Sequence, residues 1–212
     1  MFQWFDESII DQLYAHKDTL RYLYINGGEP FIMPMHWKLL EKLIEWDAAS
    51  NIHISYNTNC TTYDESFSDY WKHFKVVTVG CSMDAVGDRN KFIRYPNDWE
   101  RANTNIRKLL ENPHIAALNI TCSIQWLNAP YLPEFYEWAV PLTKLKPHTT
   151  INQNFIVFPE YLSLNCASKQ FKEDLKMLYE ESPYSNWILT ETMKSYLRVE
   201  SEDDKLWNQG NK

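Results

Sequence analysis

Residues 116–125 read Ala116-Ala117-Leu118-Asn119-Ile120-Thr121-Cys122-Ser123-Ile124-Gln125. From Leu118 onward apolar and polar residues alternate strictly. A period of two places them on opposite faces of a β-strand. The same pattern recurs upstream. Ile52, Ile54 and Tyr56 alternate with His53, Ser55 and Asn57, and Val77, Val79 and Cys81 alternate with Thr78, Gly80, Ser82 and Asp84. Strands are predicted near 20–26, 51–57, 74–82, 116–125 and 149–158. Helices are predicted near 6–16, 34–47, 64–73, 97–112, 130–146, 168–182 and 186–197. Trp37, Leu40, Leu43 and Ile44 have helical spacing, as do Trp99, Ala102, Ile106 and Leu109. Asp64, Asp98 and Ser168 are candidate N-terminal caps.

Strand–helix alternation implies parallel strands joined by right-handed crossovers. In a doubly wound sheet helices cover both faces, and strands are apolar throughout. One polar face per strand predicts an α/β fold of another kind, a partial parallel (β/α) TIM-type barrel. It has about five to six βα units, helices outside and a polar lumen, with working groups at the strands' C-terminal ends. The core is expected over residues 1–165. Residues 166–212 form a C-terminal helical segment completing or flanking it.

The 212 residues suit one domain with a real core. An apolar fraction of 44% and an aromatic fraction of 15% describe a globular chain. A net charge of −7 argues against a broad nucleic-acid footprint. No apolar run is long enough for a membrane span, and the first residues do not read as a signal peptide, so the cytoplasm is expected. Cys60, Cys81, Cys122 and Cys166 are widely spaced and make no CxxC pair. They read as reduced, structural thiols, and the six histidines form no metal constellation.

The predicted strand ends carry the chemistry. The first runs into Asn26-Gly27-Gly28-Glu29-Pro30. Two glycines permit positive φ or close main-chain approach, Pro30 rigidifies the turn, and Glu29 sits between them. Carbonyls beside a carboxylate suit a ligand ammonium; an ordinary strand-ending turn is the plain alternative. The next strands end in Asn57-Thr58-Asn59, in Ser82-Met83-Asp84 and in Ser123-Ile124-Gln125, and Arg94 follows Asp84 by ten residues. Ser82 and Asp84 also suit a simple turn, Arg94 a surface ion pair, and Ser123 and Gln125 polar filling. Asn57 and Asn59 suit turns better than ligands.

In order and spacing, Gly-Gly-Glu-Pro, the Thr-Asn-x-Thr-like segment and Ser-x-Asp with its later Arg resemble the radical S-adenosylmethionine (radical SAM) superfamily, over about residues 4–160. The stretch 80–110 resembles its SPASM/twitch branch. The resemblance implies that Gly27, Gly28 and Glu29, with Pro30 and Asn57 beside them, hold the amino group of SAM. It implies that Ser82 and Asp84 reach the ribose and that Arg94 grips the carboxylate. Ser123 and Gln125 would line the cavity, and Phe155, Ile156 and Val157 would lie along the adenine. No catalytic residue is assigned.

The resemblance also implies a 4Fe–4S cluster held by a C-x3-C-x2-C loop upstream of Gly-Gly-Glu-Pro. This sequence has no such loop and no metal ligands to assign, so it reads as an N-terminally incomplete member, inactive alone. The expected function is a radical SAM enzyme domain. It binds SAM and, where the cluster loop is present, cleaves it to a 5′-deoxyadenosyl radical. A reductant protein is implied, and the substrate is a peptide or small molecule. The alternative is a non-catalytic barrel fragment that binds SAM or a nucleoside. A barrel hydrolase ranks lower, because no HxH, HExxH or GxSxG pattern is present.

Overall fold

The computed structural model describes residues 7–198. The helix expected from residue 6 therefore starts one residue outside them, as do residues 199–212 of the C-terminal segment. Five strands alternate with helices in chain order. They are α1 (Glu7–Tyr14), β1 (Tyr22–Ile25), α2 (Pro34–Glu45), β2 (His53–Thr58), α3 (Phe67–Trp71), β3 (Val76–Ser82), α4 (Gly87–Ile93) and α5 (Trp99–Glu111). Then follow β4 (Ala117–Ile124), α6 (Leu132–Leu142), β5 (Thr149–Phe155), α7 (Lys169–Glu181), α8 (Ser185–Ile188) and α9 (Glu191–Leu197). The strands form one parallel sheet in sequence order, with β1 and β5 at its edges. The sheet does not close, so the fold is the expected partial (β/α) barrel.

The chain divides into two compact units. The first comprises Met1–Cys122 and Ala139–Asn152, the second Ser123–Trp138 and Gln153–Lys212. In the first, the apolar strand faces are the core. Ile52, Ile54, Tyr56, Val79, Cys81, Leu118 and Ile120 are fully buried. Helices α2 and α5 cover them with Leu40, Leu43, Ile106 and Leu109. The opposite faces of β2 and β4 stay half-open at every second residue, as the alternation requires. Asp98 caps α5 by accepting the Arg101 N–H.

In the second unit, Ser168 caps α7 through the Phe171 N–H. Tyr179 Oη donates to the Ala129 carbonyl at 2.6 Å. Gln153 donates to Tyr136 Oη at 2.7 Å, and Phe155 stacks on Tyr196 at 4.4 Å.

Three expectations differ in detail. The helix near 64–73 is shorter, because the Asp64 carboxylate takes the Ser66 N–H in a turn before α3 begins. The helix near 186–197 is two, since Thr190 caps a new one through the Met193 N–H. Helix α4 lies where no helix was expected.

Candidate functional site

Gly27 and Gly28 follow β1 with φ of 93° and 62°. Nothing crowds a side chain at Gly27, and at Gly28 only Met33 Sδ lies near, 3.8 Å from an added Cβ. Backbone conformation, not space, therefore selects glycine here. At Gly28 a branched residue is forced into the left-handed region, which costs about 1–3 kcal/mol. Gly28→Val is expected to lower stability by that amount in urea denaturation. A midpoint equal to that of the parent chain would show that the turn does not need its positive φ.

Glu29 turns inward. Its Oε1 accepts from Thr58 Oγ1 at 2.6 Å and its Oε2 from the Asn59 N–H at 2.9 Å. Burial raises the pKa of its carboxyl, and the bonds from Thr58, Asn59 and Phe31 partly oppose that rise. The same Thr58 hydroxyl accepts the N–H of Cys60, a buried residue held at φ 62°. One hydroxyl thus fastens the turn after β2 to the turn after β1.

From Asn59 a chain of amides crosses to the end of β3. The Asn59 carbonyl accepts Asn97 Nδ2 at 3.0 Å, and Asn97 Oδ1 accepts Asn90 Nδ2 at 2.9 Å. Asn90 Oδ1 takes the N–H groups of Asp84 at 3.1 Å and Ala85 at 3.3 Å. Asn90 is wholly buried on α4. That helix exists to present Asn90 to the strand end and Arg94 to Asp84. Arg94 Nη1 and Asp84 Oδ2 pair at 2.8 Å, with Asp84 buried and Arg94 about a quarter exposed. Arg94 Nε is buried and has no partner among the described residues.

The first unit therefore brings together Gly27, Gly28, Glu29, Pro30, Asp84 and Arg94, linked through Thr58, Asn59, Asn97 and Asn90. Asn57 bonds to Tyr24 Oη and lies over Gly80, on the sheet's polar face. Ser82 ends β3, half-buried, opposite Thr121. In the second unit, Ser123 and Gln125 end β4. Gln125 is buried, its Oε1 has no partner among the described residues, and its N–H is held by Asn128. Ile156 is half-buried and bonds through its N–H to the Ile124 carbonyl.

Thr58, Asn90 and Asn97 escaped sequence reading. Asn97 and Asn59 are 38 residues apart, so no local spacing signals the bond. The signal available was the excess of Asn around the strand ends.

The rim is a set of acceptors and one unsatisfied guanidinium N–H. Three bonds onto the two Glu29 oxygens leave one lone pair for an ammonium, and Arg94 Nε needs an acceptor. This donor set fits an amino acid or its derivative. It does not fit an iron–sulfur cluster. Among the described residues no three His, Cys, Asp or Glu side chains converge. Cys60, Cys81 and Cys122 are buried, with Cys60 beside Cys81, and Cys166 is exposed.

No family model and no curated protein matches the chain. Solved structures do. One is anSMEcpe with bound S-adenosylmethionine and a Cp18Cys peptide, at 18% identity and a TM-score of 0.58 over 85% of this chain and 54% of that one. Another is Streptococcus suis SuiB bound to S-adenosylmethionine, at 16% identity and a TM-score of 0.52 over 86% and 40%. SuiB bound to its precursor peptide SuiA also matches, at 16% identity and a TM-score of 0.52 over 86% and 39%. The chain spans about half of these proteins' length or less, and at this identity the likeness is one of fold.

Proposed function

We propose that this chain is a radical SAM barrel domain, of the SPASM/twitch branch, that binds S-adenosylmethionine at the ends of β1–β3. One observation carries the reading: Glu29 and the Asp84–Arg94 pair are tied into one rim in the order the resemblance requires. The fold likeness to S-adenosylmethionine-bound enzymes supports it. Gly27 and Gly28 carbonyls with Glu29 would hold the ammonium, with Pro30 fixing the turn. Asp84 and Ser82 would take the ribose hydroxyls, and Arg94 the carboxylate. Ser123, Gln125 and Ile156, with Asn57, stay assigned to the same cofactor as part of this proposal.

Bound SAM supplies an activated sulfonium whose adenosyl group is the family's radical source. The cysteines present do not fit the cluster that cleavage needs. The chain alone is proposed to bind SAM without cleaving it. The second reading is a non-catalytic SAM or nucleoside binder, which the lack of three converging metal ligands among the described residues favours. A core of 1–165 with a helical segment of 166–212, a separate reductant protein, a peptide or small-molecule substrate and cytoplasmic residence belong to the same proposal. No disulfide joins the four cysteines, which agrees with a reducing compartment. No helix among the described residues is long and apolar enough to cross a membrane.

Arg94 tests it. Without a metal to chelate, binding rests on hydrogen bonds worth about 0.5–1.5 kcal/mol each, or about 1.5–3 where charge is involved. Calorimetry should give a dissociation constant from roughly high micromolar to millimolar. Arg94→Ala should weaken it about 30- to 150-fold, Arg94→Lys nearly as much for want of the planar fork, and Ser82→Ala least. Circular dichroism must show the fold kept, since Arg94→Ala also strips Asp84 of its cation. A folded Arg94→Ala that binds SAM like the parent would remove Arg94 from the site.

A further inference from the structure

The chain has five glycines, and one of them follows an asparagine. That dipeptide, Asn26-Gly27, lies in the turn after β1. Asn26, Gly27 and Gly28 are all exposed and belong to no helix or strand. The ladder to β2 stops short of them, with Ile25 opposite Tyr56 as its last register pair. The Arg21 carbonyl takes the His53 N–H, so every second residue of β1 turns its main chain to β2, and Gly27 stands next in that row. Yet the Gly27 N–H makes no hydrogen bond among the described residues, and neither does the Asn26 carboxamide. Nothing lies within 4 Å of the place a Gly27 Cβ would take.

An amide nitrogen with no acceptor and no side chain beside it is open to react with the carboxamide that precedes it. The Gly27 nitrogen bonds to Asn26 Cγ, and the Cγ–Nδ2 bond breaks. Nδ2 leaves as ammonia with the proton that the Gly27 nitrogen gives up, and a five-membered succinimide remains. Solvent water then opens the ring. Opening at Cγ restores the ordinary backbone with an aspartyl side chain. Opening at the Asn26 main-chain carbonyl leaves an isoaspartyl linkage, in which the backbone runs through Cβ and Cγ and is one carbon longer. Nothing is oxidised or reduced.

We propose that Asn26-Gly27 is a self-modification site, whose isoaspartyl product disables the turn that carries Glu29. The modification itself stands on the geometry above, and its consequence for binding rests on the proposed function. The added carbon has few places to go. Upstream, Ile25 is fixed in the ladder. Downstream, Thr58 and Asn59 hold the Glu29 carboxylate, and the Pro30 carbonyl accepts His36 Nδ1–H at 3.0 Å. Between these anchors only Gly27 and Gly28 can absorb the extra length, and theirs are the carbonyls assigned to the SAM ammonium. The aspartyl product leaves the backbone as it was and adds one exposed charge.

The test incubates the purified chain in mildly alkaline buffer, folded or unfolded in guanidinium. Mass spectrometry follows the tryptic peptide Tyr22–Lys38 against synthetic aspartyl and isoaspartyl standards. Asn26 is the one Asn or Gln in that peptide, so the mass change from amide to acid reports residue 26 alone. Isoaspartyl peptide should accumulate in the folded chain within about tenfold of its rate in the unfolded chain, because a turn outside the ladder needs little opening. The rate should rise with pH, since the Gly27 nitrogen attacks after losing its proton. Asn26→Gln, which must close a six-membered ring, should convert far more slowly. Folded-state conversion more than about tenfold slower than in the unfolded chain, or conversion of Asn26→Gln as fast as the parent, would overturn the inference. Calorimetry at a fixed SAM concentration reads the consequence. The binding heat of the parent should fall with ageing in proportion to its isoaspartyl peptide, while that of equally aged Asn26→Gln stays at its starting value. Asn26→Asp, which adds the charge without the carbon, should bind within about fivefold of the fresh parent. An aged parent rich in isoaspartyl peptide that keeps its full heat would overturn the disabling of the turn. The mass readout needs no SAM, so a fresh parent that does not bind SAM strikes the proposed function and leaves the modification standing.

Discussion

Phe67→Ala should cost the protein about 3–5 kcal/mol, the range for truncating a fully buried phenylalanine whose cavity cannot collapse. Phe67 is wholly buried. Its ring stacks on Trp37 at 3.8 Å and meets Phe31 at 4.8 Å, Trp71 at 5.3 Å and His36 at 5.5 Å. These rings come from α2, α3 and the short 3-10 turn Pro30–Ile32 that follows Glu29. Helix α3 has five residues, too few to be stable by itself, so packing holds it. Against a total stability of about 5–15 kcal/mol, the loss takes the chain close to unfolding at 25 °C. Urea denaturation followed by tryptophan fluorescence measures it. Phe67→Leu keeps much of the volume and should cost about 1–2 kcal/mol. A loss below about 1 kcal/mol for Phe67→Ala would show that the cluster relaxes around the gap and does not support the site turn.

How much of this could be read beforehand depends on the range of the interactions involved. The alternation in β2 and β4 is legible because burial on one face imposes period two within a few residues, and those strands bury every second residue. The caps Asp98 and Ser168 are legible for the same reason: a capping side chain bonds three residues ahead. Helix α4 is not, because it is justified by where Asn90 and Arg94 reach and not by an apolar stripe.

The rim shows the same division. Gly27 and Gly28 have the positive φ that the turn suggested. The resemblance implies separate ligand groups for Asp84 and Arg94, and in the structure the two also pair with each other. A pair ten residues apart across a strand end and a helix has no periodic signature. It is visible only once the sheet register places Ser82 beside Thr121 and starts the turn.

The turn that carries Glu29 should also make stability depend on pH through His36. This residue is 1% exposed. Its Nδ1–H donates to the Pro30 carbonyl at 3.0 Å, its Nε2 accepts Tyr56 O–H at 3.1 Å, and Tyr56 Oη accepts the Trp71 indole N–H at 3.1 Å. The chain needs a neutral imidazole, because a protonated ring would aim a second N–H at Tyr56. Burial pushes the pKa of His36 down to about 4 from the ordinary 6.5, against the smaller opposing effect of the Pro30 bond. The unfolded chain thus takes up a proton near pH 6.5 that the native chain refuses until about pH 4. Across that window the unfolded state binds more protons, so stability falls as pH falls. The slope is about 1.4 kcal/mol per pH unit, or about 3 kcal/mol in all. Glu29 acts in the opposite sense. Its raised carboxyl is protonated in the native state first, which favours folding as pH drops. Only a difference isolates the histidine. His36→Gln retains a donor and an acceptor and does not titrate, so it carries the Glu29 contribution unchanged. Between about pH 7 and pH 4.5 the parent chain should lose about 2–3 kcal/mol more than His36→Gln in urea denaturation. Parallel curves would mean that His36 is charged in the native state or open to water, and that Pro30 is not anchored through Tyr56 and Trp71.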